Sequence, residues 1–211
     1  MLDSGARKFV QPFFSLVGGV LARAGVHPDS ITLAALIVGL GSSALFFFGG
    51  RWSALLLLWF SGVLDVLDGS VARIGGRMSP FGALMDLVFD RIVEIGFIIA
   101  VSLRFPQARL VSVLLLSSII FSFSVFLAVG ALAASSKRSE KAFYYQAGLA
   151  ERTETFLVFS VVMIWPESAP PAFAIFTAMI VFTGAQRMRE AYIHFGRSNN
   201  SDTASEEGKN Q

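Results

Sequence analysis

The sequence predicts an all-α, polytopic membrane protein: six transmembrane helices behind an N-terminal amphipathic helix at the membrane interface. Three observations lead there. The chain is 54% hydrophobic and only 15% charged, with a mean hydropathy of +0.64, outside the range of ordinary soluble domains. Its apolar residues gather into runs close to the roughly 20 residues that a bilayer requires. Short breaks bearing glycine, proline or arginine separate those runs, such as Gly49-Gly50-Arg51 and Arg104-Phe105-Pro106.

Residues 1–25 carry Phe9, Val10, Phe13, Phe14, Leu16 and Val17 between Arg7-Lys8 and Arg23, the pattern of a juxtamembrane helix lying on the bilayer. Gly18-Gly19 and the short length argue against a span. The segment is not a secretory signal, because no clean apolar core with a cleavage site follows the early charges. Pro28-Asp29-Ser30-Ile31-Thr32 starts the next helix, with proline in the first turn and Asp or Ser available as caps. Thr32 is read as a cap, with a nucleotide contact as the alternative. The spans then run over about 31–48, 52–73, 80–103, 110–134, 151–166 and 171–195. Ser117, Ser118, Ser122 and Ser124 are expected to serve helix packing. Residues 1–195 form one membrane domain, and 196–211, which lack apolar periodicity, a disordered cytoplasmic tail.

Orientation follows from the basic residues. With six spans, Arg7, Lys8, Arg23, Arg73, Arg77, Lys137, Arg138, Lys141, Arg152, Arg187, Arg189, Arg197 and Lys209 collect on one side. Only Arg51, Arg104 and Arg109 collect on the other. Both termini are therefore expected on the cytoplasmic face of the cell (inner) membrane. The absence of cysteine excludes disulfides, a thiol nucleophile and cysteine-ligated metals, and two histidines are too few for a histidine site. The net charge of +2 is modest, and no nucleic-acid partner is expected.

The chemistry concentrates between Asp65 and Asp90. Ionised carboxylates are costly in hydrocarbon, and those found there are usually functional. Asp65 and Asp68 lie three residues apart and Asp86 and Asp90 four, so on helices each pair shares a face. Two such faces turned together make an oxygen cage suited to hard divalent cations such as Mg²⁺ or Mn²⁺. Arg91 and Glu94 follow at a spacing of three, and an internal ion pair is expected.

The pattern D-x-x-D-G-x-x-A-R, eight residues, then G-x-x-x-D-x-x-x-D, resembles the signature of the CDP-alcohol phosphatidyltransferase family, with Asp65, Asp68, Gly69, Ala72, Arg73, Gly82, Asp86 and Asp90 at its fixed positions. The resemblance implies phospholipid synthesis: transfer of a phosphatidyl group from a CDP-linked lipid such as CDP-diacylglycerol to a polar alcohol, with release of CMP. It implies metal ligation by Asp65, Asp68 and Asp86, with Asp90 as a further ligand or the base that deprotonates the acceptor. Two ions are expected per site. Gly69, Ala72, Arg73 and Gly82 are expected to border the CDP-lipid, and a homodimer is expected.

The acceptor is read as a phosphorylated polyol, glycerol 3-phosphate or inositol phosphate, with Arg152 and Arg187 as candidates for its phosphate. Glu151-Arg152-Thr153-Glu154 resembles a stretch of inositol-phosphate-using members, although Thr155 stands where they carry a second arginine. Gly130-Ala131-Leu132-Ala133-Ala134 likewise replaces a basic pair. Two other classes compete. A cation transporter would use intramembrane Asp residues but has no need of Gly69, Ala72, Arg73 and Gly82. An inactive scaffold relative has no need of intact carboxylates.

Overall fold

The computed structural model describes residues 2–135 and 152–195. Its helices are α1 (Leu2–Arg23), α2 (Pro28–Phe47), α3 (Arg51–Ile74), α4 (Pro80–Arg104), α5 (Arg109–Ser135), α6 (Arg152–Ile164) and α7 (Ala169–Phe195). Short 3₁₀ turns at Pro106–Ala108 and Pro166–Ser168 enter α5 and α7. These two turns replace the irregular breaks expected from sequence; in each, proline with its fixed φ opens the turn. Lys137, Arg138, Lys141 and the expected tail lie outside the described residues.

Among the described residues, four helical stretches are long and apolar enough to cross a membrane: Pro28–Phe47, Arg51–Ile74, Pro106–Ala133 and Pro166–Phe195. The other two expected spans differ from these for identifiable reasons. Helix α4 has 25 residues but carries Asp86, Asp90, Arg91 and Glu94, and α6 is described over 13 residues. The apolar part of α1, Pro12–Arg23, is too short to cross, in line with a juxtamembrane helix.

Contacts divide the chain into two compact units, residues 1–113 with 151–173 and residues 114–150 with 174–211. In the first, α2, α3 and α4 pack through small residues, as membrane helices do when backbones approach closely. Gly39 of α2 faces Val93 of α4, where an added Cβ would come within 2.6 Å of the valine Cγ2. Along the α2–α3 seam, Ser42 Oγ donates to the Ala54 carbonyl at 2.6 Å and Ser61 Oγ to the Ala35 carbonyl at 2.8 Å. Helix α6 joins this group by inserting the Phe156 ring at Gly62, and Trp59 Nε1 donates to Ser160 Oγ at 3.1 Å. A run of rings, Phe46, Phe97, Phe159 and Phe173, fills the core with successive centroids 5.2, 4.3 and 6.4 Å apart.

At the end of this unit remote from the Asp residues, Arg104 closes the C-terminus of α2. Its Nη1 donates to the Phe46 and Phe47 carbonyls at 2.6 and 2.7 Å, satisfying acceptors that a helix end leaves open. Gly49, at φ +104°, leaves the space that this guanidinium occupies. Helix α1 packs on α3 by burying Phe14 with Ile31, Leu67 and Val71, and Gly18 lets it approach Ser70. Phe13, Leu16 and Val20 share the same apolar face and are 63%, 69% and 58% exposed, so α1 packs one flank of that face against the unit and leaves the other open, as an amphipathic helix at an interface does.

In the second unit, Phe121 of α5 packs where Gly184 of α7 has no side chain, and Arg187 lies 5.6 Å over the Phe126 ring. Ser118 is buried, and its Oγ donates to the Leu115 carbonyl within α5 itself, not to another helix.

The α2–α4 contact yields a test. The Gly39→Ala chain should lose about 1–3 kcal/mol by overpacking, because a β-branched valine cannot rotate away. Thermal unfolding in detergent should show Gly39→Ala/Val93→Ala to be less destabilised than the sum of the two single changes.

Candidate metal centre

Helix α3 ends and helix α4 begins on the same side of the first unit, and the two halves of the acidic pattern meet there. Asp68 is buried, 6% exposed, while Asp65, Asp86 and Asp90 are half-buried. Asp65, Asp68 and Asp86 each offer a carboxylate oxygen, and these three atoms lie within 4.8 Å of one another. Like charges this close repel by about 3 kcal/mol per pair at an effective dielectric near 20. A divalent cation among them would turn that repulsion into attraction. The donors are all hard oxygens, with no nitrogen or sulfur, so the set fits Mg²⁺ or Mn²⁺.

Thr32 fixes the buried member. Its Oγ1 donates to Asp68 Oδ2 at 2.6 Å, a charge-assisted bond between α2 and α3. The expectation that Thr32 serves as a helix cap is therefore corrected. The N-cap is His27, which makes no side-chain cap bond, and Thr32 lies a full turn inside the helix with its hydroxyl turned toward α3.

Asp90 is not one of the three clustered carboxylates. It lines a narrow cleft with Thr32, Ala35, Ser61, Asp65 and Val93, and a second with Leu58, Glu94, Phe156 and Phe159. It thus stands beside the cluster. Arg91 and Glu94 pair as expected, through both guanidinium Nη atoms at 2.6 and 2.7 Å.

The residues expected to border a nucleotide have local roles too. Arg73 folds back over Gly69, where a Cβ would meet its Nη1 at 3.3 Å, and its Nη2 donates to Ser70 Oγ. Ala72 is half-buried beside it. The Gly82 amide donates to the Ser79 N-cap oxygen at 2.9 Å. A Cβ on Gly82 would lie 3.3 Å from Asp29 Oδ1, so this glycine admits the start of α2 to the start of α4. Asp29 was missed as a neighbour of the site. The signal lay in its spacing of three from Thr32, which puts both on one helical face. Arg152 opens α6 in the first unit, and Arg187 lies on α7 in the second.

The helices and the acidic cluster together define a membrane protein whose gathered carboxylates could hold a divalent cation. The chain belongs to the CDP-alcohol phosphatidyltransferase family, whose model matches residues 25–186. The reaction class comes with that membership: it is a phosphotransferase of the CDP-alcohol type. The chain is similar to the inner membrane protein YnjF of Escherichia coli, with 31% identity over 201 residues covering 92% of this chain and 96% of that one. It is also similar to the archaetidylinositol phosphate synthase of Methanothermobacter thermautotrophicus, with 29% identity over 86% of this chain and 88% of the relative. Among solved structures, the Mycobacterium tuberculosis phosphatidylinositol phosphate synthase PgsA1 in complex with manganese and citrate shares the fold, at a TM-score of 0.70 with 20% identity over 85% of this chain and 88% of that one. The same protein with CDP-DAG bound gives 0.66 at 23% identity, over 85% and 93%.

Thr32→Val keeps the side-chain shape and removes the donor to Asp68. A hydrogen bond to a charged group contributes about 1.5–3 kcal/mol. Thermal unfolding without added metal should show Thr32→Val destabilised by an amount of that order and Thr32→Ser close to the unaltered chain.

Proposed function

We propose that this protein transfers the phosphatidyl group of CDP-diacylglycerol to a hydroxyl of inositol phosphate, releasing CMP at the cytoplasmic face of the membrane. The observation that carries the reading is the convergence of Asp65, Asp68 and Asp86 within 4.8 Å at the meeting of α3 and α4. The acceptor choice is supported by relatives named archaetidylinositol phosphate synthase and phosphatidylinositol phosphate synthase. Their names favour inositol phosphate over glycerol 3-phosphate.

In this reading Asp65, Asp68 and Asp86, with Asp90 beside them, would hold divalent cations, two per site. Such ions would supply charge neutralisation of phosphate oxygens and orientation for an in-line displacement. Thr32 keeps Asp68 in the ligating position. Arg73 lies at the end of α3 where the pyrophosphate of the donor is placed, and Gly69 and Gly82 leave room for it beside Ala72. Asp90 accepts the proton of the acceptor hydroxyl. The freed oxygen forms a bond to the β-phosphorus of the donor, the bond from that phosphorus to the bridging oxygen breaks, and CMP departs with the electron pair. Of the two arginine candidates for the acceptor phosphate, Arg152, which opens α6 in the same unit as the acidic cluster, is the one assigned here, since a guanidinium offers paired donors. In this reading both termini face the cytoplasm, which the distribution of Lys and Arg in the sequence supports.

The test uses purified protein in lipid nanodiscs with labelled CDP-diacylglycerol, Mg²⁺ or Mn²⁺, and inositol phosphate, glycerol 3-phosphate, serine or a free alcohol. CMP release with inositol phosphate is expected, and no release with any acceptor from folded protein overturns the reading. Asp68→Asn should lower turnover by about 100-fold or more through loss of a ligand, and Asp90→Asn by about 10²–10⁴-fold through loss of the base.

A further inference from the structure

Building on the function proposed above, we propose that Glu94 is a positioning residue of the cation site: it holds the guanidinium of Arg91 and so keeps that charge off Asp86 and Asp90. Arg91 directly follows Asp90, and Asp86, Asp90 and Glu94 are spaced by four along one face of α4. Both Nη atoms of Arg91 are committed to Glu94, at 2.6 and 2.7 Å, and Glu94 is 5% exposed. Arg91 Nε is shut off from solvent and makes no hydrogen bond among the described residues. The guanidinium thus depends on Glu94 for its charged contacts. Asp90 and Glu94 also line one cleft, with Leu58, Phe156 and Phe159 closing it by apolar side chains.

A guanidinium in such surroundings needs a carboxylate partner. The other carboxylates of α4 are Asp86 and Asp90. They lie five residues and one residue before Arg91 and do not face it along the helix, so once Glu94 is neutralised the guanidinium stands as an unbalanced positive charge on the same stretch of α4. A divalent cation at the cluster then meets a competing charge. The effect of breaking the pair therefore has a sign. Removing the acid weakens cation binding, and removing the base does not.

The readout is Mn²⁺ binding, followed by loss of the free-ion electron paramagnetic resonance signal, on purified protein in nanodiscs without substrate. Glu94→Gln is expected to weaken binding by about tenfold or more, from one charge acting across a medium of effective dielectric near 20. Arg91→Leu is expected to bind as tightly as the unaltered chain or more tightly. Arg91→Leu/Glu94→Leu, which removes the pair together, is expected to return to within about threefold of it. A pair that served packing alone would make both single changes lose affinity alike, and that result overturns the proposal. So does a double variant as weak as Glu94→Gln, which would make Glu94 a ligand itself, and so does a Glu94→Gln chain with unaltered affinity. Should Glu94→Gln not fold, the Arg91→Leu and double-variant affinities decide on the same terms. Turnover of the unaltered chain on CDP-diacylglycerol, measured in parallel, separates failure of this proposal from failure of the function on which it rests.

Discussion

The bond from the Thr32 hydroxyl to the Asp68 carboxylate is the point on which the site's geometry turns. At 2.6 Å, and with so short a donor side chain, it forms only if the α2 and α3 backbones run close together. The two helices achieve this along a repeating seam. Ala54, Ser61 and Asp68 of α3 fall seven residues apart, and each meets α2 through a hydrogen bond, to Ser42, Ala35 and Thr32. A seven-residue repeat keeps one stripe of a helix facing its partner. Asp68 is therefore buried because it occupies the last position of a packing stripe, and it can be charged there because the opposing residue is a donor. Asp65, one turn earlier, falls beside the stripe and faces the cleft that Asp90 also lines.

This arrangement explains how a cluster of carboxylates persists in a membrane helix pair. Each acid alone would be expelled or neutralised. Here the rigidity comes from the apolar and small-residue contacts farther along the same helices, where Val93 sits against Gly39 and the Phe46–Phe97–Phe159 rings fill the core. The packing holds mutually repelling oxygens together, so under the proposed function a cation would meet ligands already gathered and ordering the chain would cost little. Pre-organisation of this kind comes from the supporting contacts and not from the ligands themselves.

Much of this was legible in the sequence. The acidic pairs announced their faces through spacings of three and four, and the helix boundaries followed Gly, Pro and Arg to within about three residues. The Arg91–Glu94 pair was equally plain. What could not be read was any contact between helices, because it depends on register and rotation that one sequence does not state. Thr32 looked like a cap by its position near Pro28, and only the proximity of α3 gives its hydroxyl a better partner. Arg104 looked like one of a few basic residues on the sparsely charged side, yet it closes the last turn of α2. Gly82 was expected to admit a ligand, and it also admits Asp29. Helix α1 was read as amphipathic, and only its packing shows that Phe14 carries one flank of the apolar face inward while Phe13, Leu16 and Val20 on the other flank stay exposed.

The two ends of the α2–α3–α4 group differ in a way that follows from what each must do. At the end away from the acids, every device consumes polar groups: Arg104 fills the carbonyls of α2, its charge lies over the Phe46 and Phe105 rings, and Gly49 bends away to make room. At the acidic end the devices leave polar atoms directed inward. Ser79 caps the first turn of α4, and Arg73 folds over Gly69 at the end of α3. An end whose helix-terminal carbonyls are capped resists rearrangement, since opening it would strand groups in a medium without water. That rigidity carries along α2, α3 and α4 to the end where oxygens of Asp65, Asp68 and Asp86 lie within 4.8 Å of one another, so the closely set carboxylates keep their spacing.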